Sequence, residues 1–167
     1  MKYLVVLLCC SGFAFAHKPF FPEAGTPIEI QNPIISQAHY LQIKEGSSQR
    51  FIIPALERAV PVEVLVLDDD LGRSLEMQAS LSCDGQERPL TKSDQPFFET
   101  FSKLHHRYKV IDTIGPTEQA CEISVSEKSG KAGPYTFAIG SEERFDFGDM
   151  LGFFSLGEKL EQWQKGY

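Results

Sequence analysis

Residues 75–90 read LEMQASLSCDGQERPL, and this stretch decides the fold class. Apolar side chains recur at every second position from Leu75 to Cys83, with Glu, Gln and Ser between them, which is typical of a strand with one buried face. Asp84-Gly85 follows, and this dipeptide favours a two-residue hairpin because both central residues of that turn need a positive φ. Residues 86–90 are therefore predicted to form the returning strand.

Other parts of the chain have the same short apolar or alternating character. Turns rich in Gly, Pro and Asp separate them, and the chain contains 13 Gly and 10 Pro. About seven or eight short strands separated by such turns are typical of an antiparallel β-sandwich. We therefore predict a mainly β protein, a jelly-roll-like sandwich that occupies residues 17–144. The further predicted strands are 40–44, 50–53, 60–67, 108–114, 121–127 and 133–139.

The C-terminal residues 145–167 have a different pattern and are predicted to form a helical arm. Ser155 and Glu158 have the spacing of a capping box, and the apolar residues that follow share one helix face. One interpretation is that the arm packs on the sandwich. The alternative is a structural role, in which an exposed aromatic surface of the arm docks on a partner. The residues of that surface would be Phe153, Phe154 and Trp163.

The first sixteen residues have the three parts of a secretory signal peptide: a basic start, an apolar run and small residues before a cleavage point after Ala16. Cleavage there would make His17 the first residue of a periplasmic or secreted protein. A lipoprotein is the alternative, with Cys10 as the lipidated residue. The residue before it, Cys9, is a poor match to the small residue that such a cleavage site needs.

Composition narrows the function classes. The 167 residues carry a formal net charge of −7, and an acidic surface repels phosphate backbones, which argues against nucleic-acid binding. No apolar stretch reaches the ~20 residues that a transmembrane helix needs. The sequence contains no phosphate-binding loop, zinc-type cysteine spacing or nucleophile-elbow motif, so a non-catalytic role is expected.

Two cysteines remain after the predicted cleavage, Cys83 and Cys121. An even number of cysteines in an oxidising compartment favours a disulfide. The two strands that carry them would then lie close together, within one sheet or across two. The alternative is a pair of reduced, buried thiols.

Four short stretches resemble the bacterial pre-peptidase C-terminal domains, which are exported β-sandwich modules. The resemblance spans roughly residues 36–140, and it implies a jelly-roll-type sandwich with an accessory or binding role and no catalytic residue. The chain departs from these domains in having no attached protease and in adding the helical arm. The matching stretches are Ser36-Gln-Ala-His-Tyr40, Gln49-Arg-Phe-Ile-Ile-Pro54, Val62 to Leu67 and Gly133-Pro-Tyr-Thr-Phe-Ala-Ile139.

The histidines suggest a metal site as an alternative function. His17, as a first residue, would offer its amine and its ring to one copper ion, and a second histidine would complete the nitrogen ligands that copper(II) prefers. Tyr40 or Tyr108 could occupy an axial position. Adjacent strand residues point to opposite faces, so at most one of the neighbours His105 and His106 could join His17. The candidate second ligands are His39, His105 and His106.

Two acidic features complete the candidate residues. Glu99 lies among phenylalanines, and burial there would raise its pKa and make it an acid, a base or a ligand, whereas a side chain turned to water would do none of these. The run from Asp68 to Asp70 offers oxygen ligands for calcium but lacks the spacing of a calcium loop, so a solvated turn is expected.

The sequence therefore predicts an exported, non-catalytic binding or accessory module whose ligand is an unidentified protein or carbohydrate. The first alternative is a periplasmic copper protein that uses His17. The second is a structural protein that docks its aromatic arm on a partner.

Overall fold

The computed structural model describes residues 17–99, 102–144 and 155–166. Within these residues, eleven strands form two sheets, accompanied by two helices. The predicted mainly β sandwich is confirmed, whereas its jelly-roll character stays a prediction. In chain order the elements are β1 (Lys18–Phe20), β2 (Ile28–Glu29), β3 (Gln37–Ile43), β4 (Ser48–Ile53), β5 (Val60–Leu67), α1 (Asp70–Ser74), β6 (Met77–Cys83), β7 (Gln86–Pro89), β8 (Pro96–Glu99), β9 (Leu104–Ile114), β10 (Cys121–Glu127), β11 (Gly133–Ile139) and α2 (Leu156–Lys165).

The first sheet has six strands in the order β1-β3-β11-β5-β9-β8. Its strand β11 is buried along its whole length, because the second sheet covers one face and helix α2 lies against the other. Strands covered on both faces are apolar without strict alternation, which explains why the sequence of β11 does not alternate. Strand β1 pairs with β3 in parallel and forms one edge of this sheet.

The second sheet has five strands in the order β2-β4-β10-β6-β7. Along most of their length, its strands β6 and β10 alternate between buried apolar residues and more exposed Ser, Glu and Gln, as half-covered antiparallel strands do. Phe51 of this sheet stacks on Phe137 of the first, with ring centroids 3.8 Å apart. This aromatic pair joins the two inner faces at the centre of the core.

The predicted hairpin and disulfide occur at one end of β6. Asp84 and Gly85 both have positive φ, 52° and 75°, as the two-residue turn requires. Cys83 and Cys121 form a disulfide, and their Cα atoms are 4.6 Å apart. Because β6 pairs with β10, the bond links neighbouring strands of one sheet rather than strands of the two different sheets.

Two sequence expectations need correction. The strand count is eleven within the described residues rather than seven or eight, because β1, β2 and β8 are edge strands of two to four residues, too short for a periodic pattern. Helix α1 begins at Asp70, inside the segment that was predicted to be only a solvated turn after β5, and the side chain of Asp69 is its N-cap. Gly72 is required there, because a Cβ would lie 2.0 Å from the Leu67 carbonyl oxygen.

Candidate functional site

A cleft opens where the chain passes from the edge of one sheet to the edge of the other. Strand β1 borders it on the first sheet and β2 on the second, and its volume is about 700 Å³, which is within the range of ligand-binding pockets. Its walls combine aromatic and aliphatic side chains with a few polar ones. The lining residues are Lys18, Phe20, Phe21, Pro22, Ile28, Glu29, Gln31, Asn32, Ile35, Gln37, His39 and Arg144.

His39 separates this cleft from the core. It is 4% exposed, and its ring stacks on Phe20 at 4.9 Å between centroids. Its other side approaches Phe51 at 6.1 Å and Phe137 at 6.2 Å. Burial among these rings lowers the pKa of His39 to about 4, because removal from water disfavours the charged imidazole. The ring is therefore neutral at neutral pH.

Hydrogen bonding sets the tautomer of His39. Gln37 Nε2 donates to the Asn32 carbonyl at 2.8 Å, so the amide oxygen of Gln37 faces the imidazole. His39 Nε2 lies 3.3 Å from that oxygen and must carry the proton, since a carboxamide oxygen can only accept. His39 Nδ1 then bears a lone pair, and within the described residues this buried atom has no hydrogen-bond partner.

His17 lies on the opposite face of the first sheet from His39. Phe20 pairs with His39 and Lys18 with Gln37, and side chains alternate along a strand, so the ring of His17 points away from that of His39. His17 Nδ1 instead shares a 2.6 Å hydrogen bond with Ser36 Oγ, a serine–histidine pair that sequence reasoning missed. Ser36 is 6% exposed, so its hydroxyl is not presented to a substrate.

The remaining histidines also lie apart from His17. His105 is exposed beside Phe98, with ring centroids 4.8 Å apart, while His106 is buried beneath helix α2. Among the described residues, no three His, Cys, Asp or Glu side chains form a group that could hold a metal ion. Copper binding stays a prediction from the sequence, and this placement of the four rings does not favour it.

A second cluster of buried polar residues lies between the first sheet and helix α2, and we call it the arm cluster. Its members come from β3, β8, β9, β11 and α2, and each is less than 7% exposed. Trp163 lies between two of its rings, 5.0 Å from Tyr40 and 6.4 Å from His106. The arm cluster comprises Tyr40, Glu99, His106, Thr136 and Trp163.

Glu99 and His106 are the ionisable pair of the arm cluster, with Glu99 Oε2 3.8 Å from His106 Nε2. Burial raises the pKa of Glu99, although Ser102 Oγ donates to its carboxylate at 2.7 Å. Burial also lowers the pKa of His106 to about 4. Desolvation thus disfavours the charged form of each partner. A hydrogen bond with the Val66 backbone offsets part of the lowering of the His106 pKa.

The other candidate residues have structural surroundings. Tyr108 is half-buried against Phe97 at 5.3 Å, and burial raises its pKa to about 12. Burial raises the pKa of Tyr40 further. Asp68 binds the guanidinium groups of Arg73 and Arg107 at 2.8 and 2.9 Å, which hold its pKa at about 2.

Trp163 does not offer its ring to a partner. The residue is 3% exposed, and its indole Nε1 donates to the Leu41 carbonyl of β3 at 2.9 Å. Leu156 and Leu160 are buried on the same face of α2, so this part of the arm packs on the sheet. The other two residues of the predicted interface, Phe153 and Phe154, lie outside the described residues.

Replacing Trp163 should therefore weaken the attachment of the arm. Trp163→Phe keeps an aromatic ring but removes the donor to the buried Leu41 carbonyl, and we expect a loss of about 1–3 kcal/mol in the free energy of unfolding. Urea denaturation followed by far-UV circular dichroism measures this loss. Gln164→Ala on the exposed face of α2 is the control. Equal stability of the Phe variant and the natural protein would contradict this packing.

Comparisons with known proteins find only distant structural similarity. Neither a protein-family model nor a curated protein sequence matches the chain. Among solved structures, PliG of Salmonella Typhimurium, a periplasmic inhibitor of g-type lysozyme, is 14% identical, with a TM-score of 0.42 and 70% of this chain and 98% of that chain covered. PliG of Aeromonas hydrophila, also a periplasmic inhibitor of g-type lysozyme, is 9% identical, with a TM-score of 0.46 and coverages of 73% and 97%.

A third similar structure belongs to the family that the sequence resembles. It is the pre-peptidase C-terminal domain of a collagenase from Bacillus anthracis, 12% identical, with a TM-score of 0.41 and coverages of 70% and 94%. The distant resemblance noted from the sequence is thus found again among solved structures. At these identities and TM-scores, the likenesses say nothing about what this chain binds.

Proposed function

We propose that this chain is an exported, non-catalytic β-sandwich module that binds a ligand in the cleft between β1 and β2. The observation that carries the proposal is the cleft itself, with a volume of about 700 Å³ and a neutral, buried histidine in its wall. Apolar walls with a few placed polar groups are the usual composition of a binding pocket. The serine–histidine pair elsewhere has a buried hydroxyl, which supports a non-catalytic role.

Export is part of the same proposal. A disulfide persists in oxidising compartments, and Cys83–Cys121 is such a bond. The leader-like start of the chain supports the same compartment. None of the helices that the structure describes is long and apolar enough to cross a membrane.

Fractionation tests export. When the full chain is expressed in a bacterial host, we expect the periplasmic or secreted fraction to contain protein whose intact mass begins at His17 and includes one disulfide. An Ala16→Leu variant, which removes the small residue before the cut, should retain the leader. Full-length protein confined to the cytoplasm would contradict export, and a mass that begins at a lipid-modified Cys10 would replace cleavage with lipidation.

Nuclear magnetic resonance tests the cleft. Mixtures of small apolar and aromatic compounds added to isotope-labelled protein should shift the backbone amides of β1, β2 and the start of β3. Phe20→Ala, which removes one wall of the cleft, should weaken these shifts several-fold, whereas Phe98→Ala at the far edge of the first sheet should not. Shifts confined to other surfaces would contradict the proposal.

A further inference from the structure

The second half of strand β3 is an open edge of the first sheet. Strand β3 runs from Gln37 to Ile43, but β1 pairs only with its first three residues and stops opposite His39. In the described part of the chain, β1 is the last strand on this side of the sheet. Residues 40–43 therefore have a strand partner on one side only, which is β11.

The backbone N–H and C=O of Gln42 point to this open side. On its other side Gln42 lies opposite Pro134 of β11, which has no N–H to donate, so the two residues form a non-hydrogen-bonded pair whose backbone groups turn away from each other. Lys18 N donates to the Ser36 carbonyl on the β1 side, and the even-numbered residues that follow Ser36 face the same way. Among the described residues, no backbone group outside the ladders bonds to Gln42.

A groove of about 610 Å³ adjoins this edge. Residues 40–42 line it, together with residues 21–24 and helix α2. Two hydrogen bonds hold α2 beside the strand: Trp163 Nε1 donates to the Leu41 carbonyl, and Gln42 Nε2 donates to the Trp163 carbonyl. The open backbone groups of Gln42 thus lie at a groove with room for a short stretch of extended chain.

The other edges of the two sheets are protected against pairing with a further strand. Edge strands are usually short, or they carry charges and prolines that oppose such pairing. Strand β2 has two residues, β7 carries Glu87 and Arg88 and ends at Pro89, and β8 begins at Pro96. Residues 40–43 read Tyr-Leu-Gln-Ile and contain neither a charge nor a proline, so this half of β3 lacks that protection.

We propose that an extended peptide segment of a partner protein binds in this groove and adds to the first sheet as a strand beside residues 40–43. Its backbone pairs with the N–H and C=O of Gln42, which is the mode of recognition called β-augmentation. Strand β1 already occupies the start of the same edge, so the added strand continues a row that the fold has begun. This site goes beyond the cleft between β1 and β2, although Phe21 and Pro22 line both.

Selection from a displayed library of random peptides tests this proposal on the full chain. Four strand residues span roughly 13 Å, so peptides of about seven residues cover the edge with some overhang. We expect synthetic copies of the selected peptides to shift the amides of β3 and α2. They should also slow hydrogen exchange of the Gln42 amide about tenfold or more, because that N–H gains an acceptor.

Two matched controls assign the binding to backbone pairing. Methylating the peptide nitrogens one at a time keeps the side chains, and at least one position should lose about tenfold in affinity, since an unmade hydrogen bond costs that much. Gln42→Pro and Gln42→Ala both remove the side-chain bond to Trp163, but only Gln42→Pro also removes the N–H. The proline variant should bind about tenfold more weakly than the alanine variant, and circular dichroism shows whether both are folded.

If Gln42→Pro does not fold, the methylated peptides decide alone. The proposal is overturned if no peptide is enriched, if the enriched peptides leave exchange at Gln42 unchanged, or if methylation at every position leaves the affinity unchanged. A concentration-dependent dimer that protects the Gln42 amide without peptide would assign the edge to a second copy of the chain and would also overturn it. None of these results affects the proposed cleft, because binding there is measured at β1 and β2.

Discussion

The two buried histidines, His39 and His106, are expected to destabilise the folded protein as the pH falls from about 6.5 to about 4. Burial lowers the pKa of His39 and of His106 to about 4, against about 6.5 in an unfolded chain. Between these values the unfolded chain binds protons that the folded protein does not. The free energy of unfolding therefore does not depend on these histidines above pH 6.5. Between pH 6.5 and pH 4 it falls by about 3 kcal/mol for each histidine.

His39 gives the cleaner test of this loss, because burial alone shifts its pKa. His106 has Glu99 3.8 Å away, and a charged pair of the two would offset part of the cost. His39→Phe keeps the stack on Phe20 and removes the titrating group. We expect this variant to lose about 3 kcal/mol less than the natural protein between pH 7.5 and pH 4.

Urea denaturation at a series of pH values measures this difference. His105→Gln serves as the control, because it removes an exposed histidine. Carboxylates with a lowered pKa, among them Asp68 and Glu127 at about 2, add their own loss as the pH falls below about 4.5. That loss is common to all three proteins. Parallel curves for the natural protein and His39→Phe down to pH 4 would show that His39 does not resist protonation.

Loss of the disulfide should have the second large effect. The bond joins residues 38 apart in sequence, and a closed loop of that size restricts the unfolded chain by about 4 kcal/mol in the chain-entropy model. The variant Cys83→Ala with Cys121→Ala should therefore unfold roughly 10 °C lower. Its circular dichroism should stay close to that of the natural protein, because β6 and β10 remain paired by their own ladder.

Reduction provides the matched control for the disulfide. The natural protein in a reducing agent should unfold at the same temperature as the double alanine variant, and the agent should leave the variant unchanged. Free thiols at Cys83 and Cys121 in the denatured, unreduced natural protein, or an unfolding temperature that neither treatment changes, would contradict a stabilising Cys83–Cys121 bond.

The sequence predicted several features because each depends on residues near one another in the chain. The strand from Leu75 to Cys83 shows its buried face by alternation, and Asp84-Gly85 shows its turn by backbone preference. The buried face of α2 follows from helical spacing. Each of these signals is local, so no knowledge of distant partners was needed.

The cleft was missed because it has no local signal. Strand β1 is three residues long and contains Pro19, so it shows no periodicity, and its parallel pairing with β3 cannot be read from its sequence. Lys18 and Arg144 lie at opposite ends of the described sandwich sequence, and the fold brings them to one opening. The burial of Glu99 likewise has no local signal, because it depends on the pairing of β8 with β9 and on the contact with His106.

The sequence by itself determined the mainly β architecture, the hairpin, the paired cysteines and the apolar face of the arm, since alternation, turn chemistry and helical spacing are properties of neighbouring residues. Only the tertiary structure decided that His17 and His39 lie on opposite faces, that Glu99 meets His106 beneath Trp163, and that a cleft opens between β1 and β2. Those arrangements depend on strand order and register, which set the distances between residues far apart in the chain and hence their burial and charge.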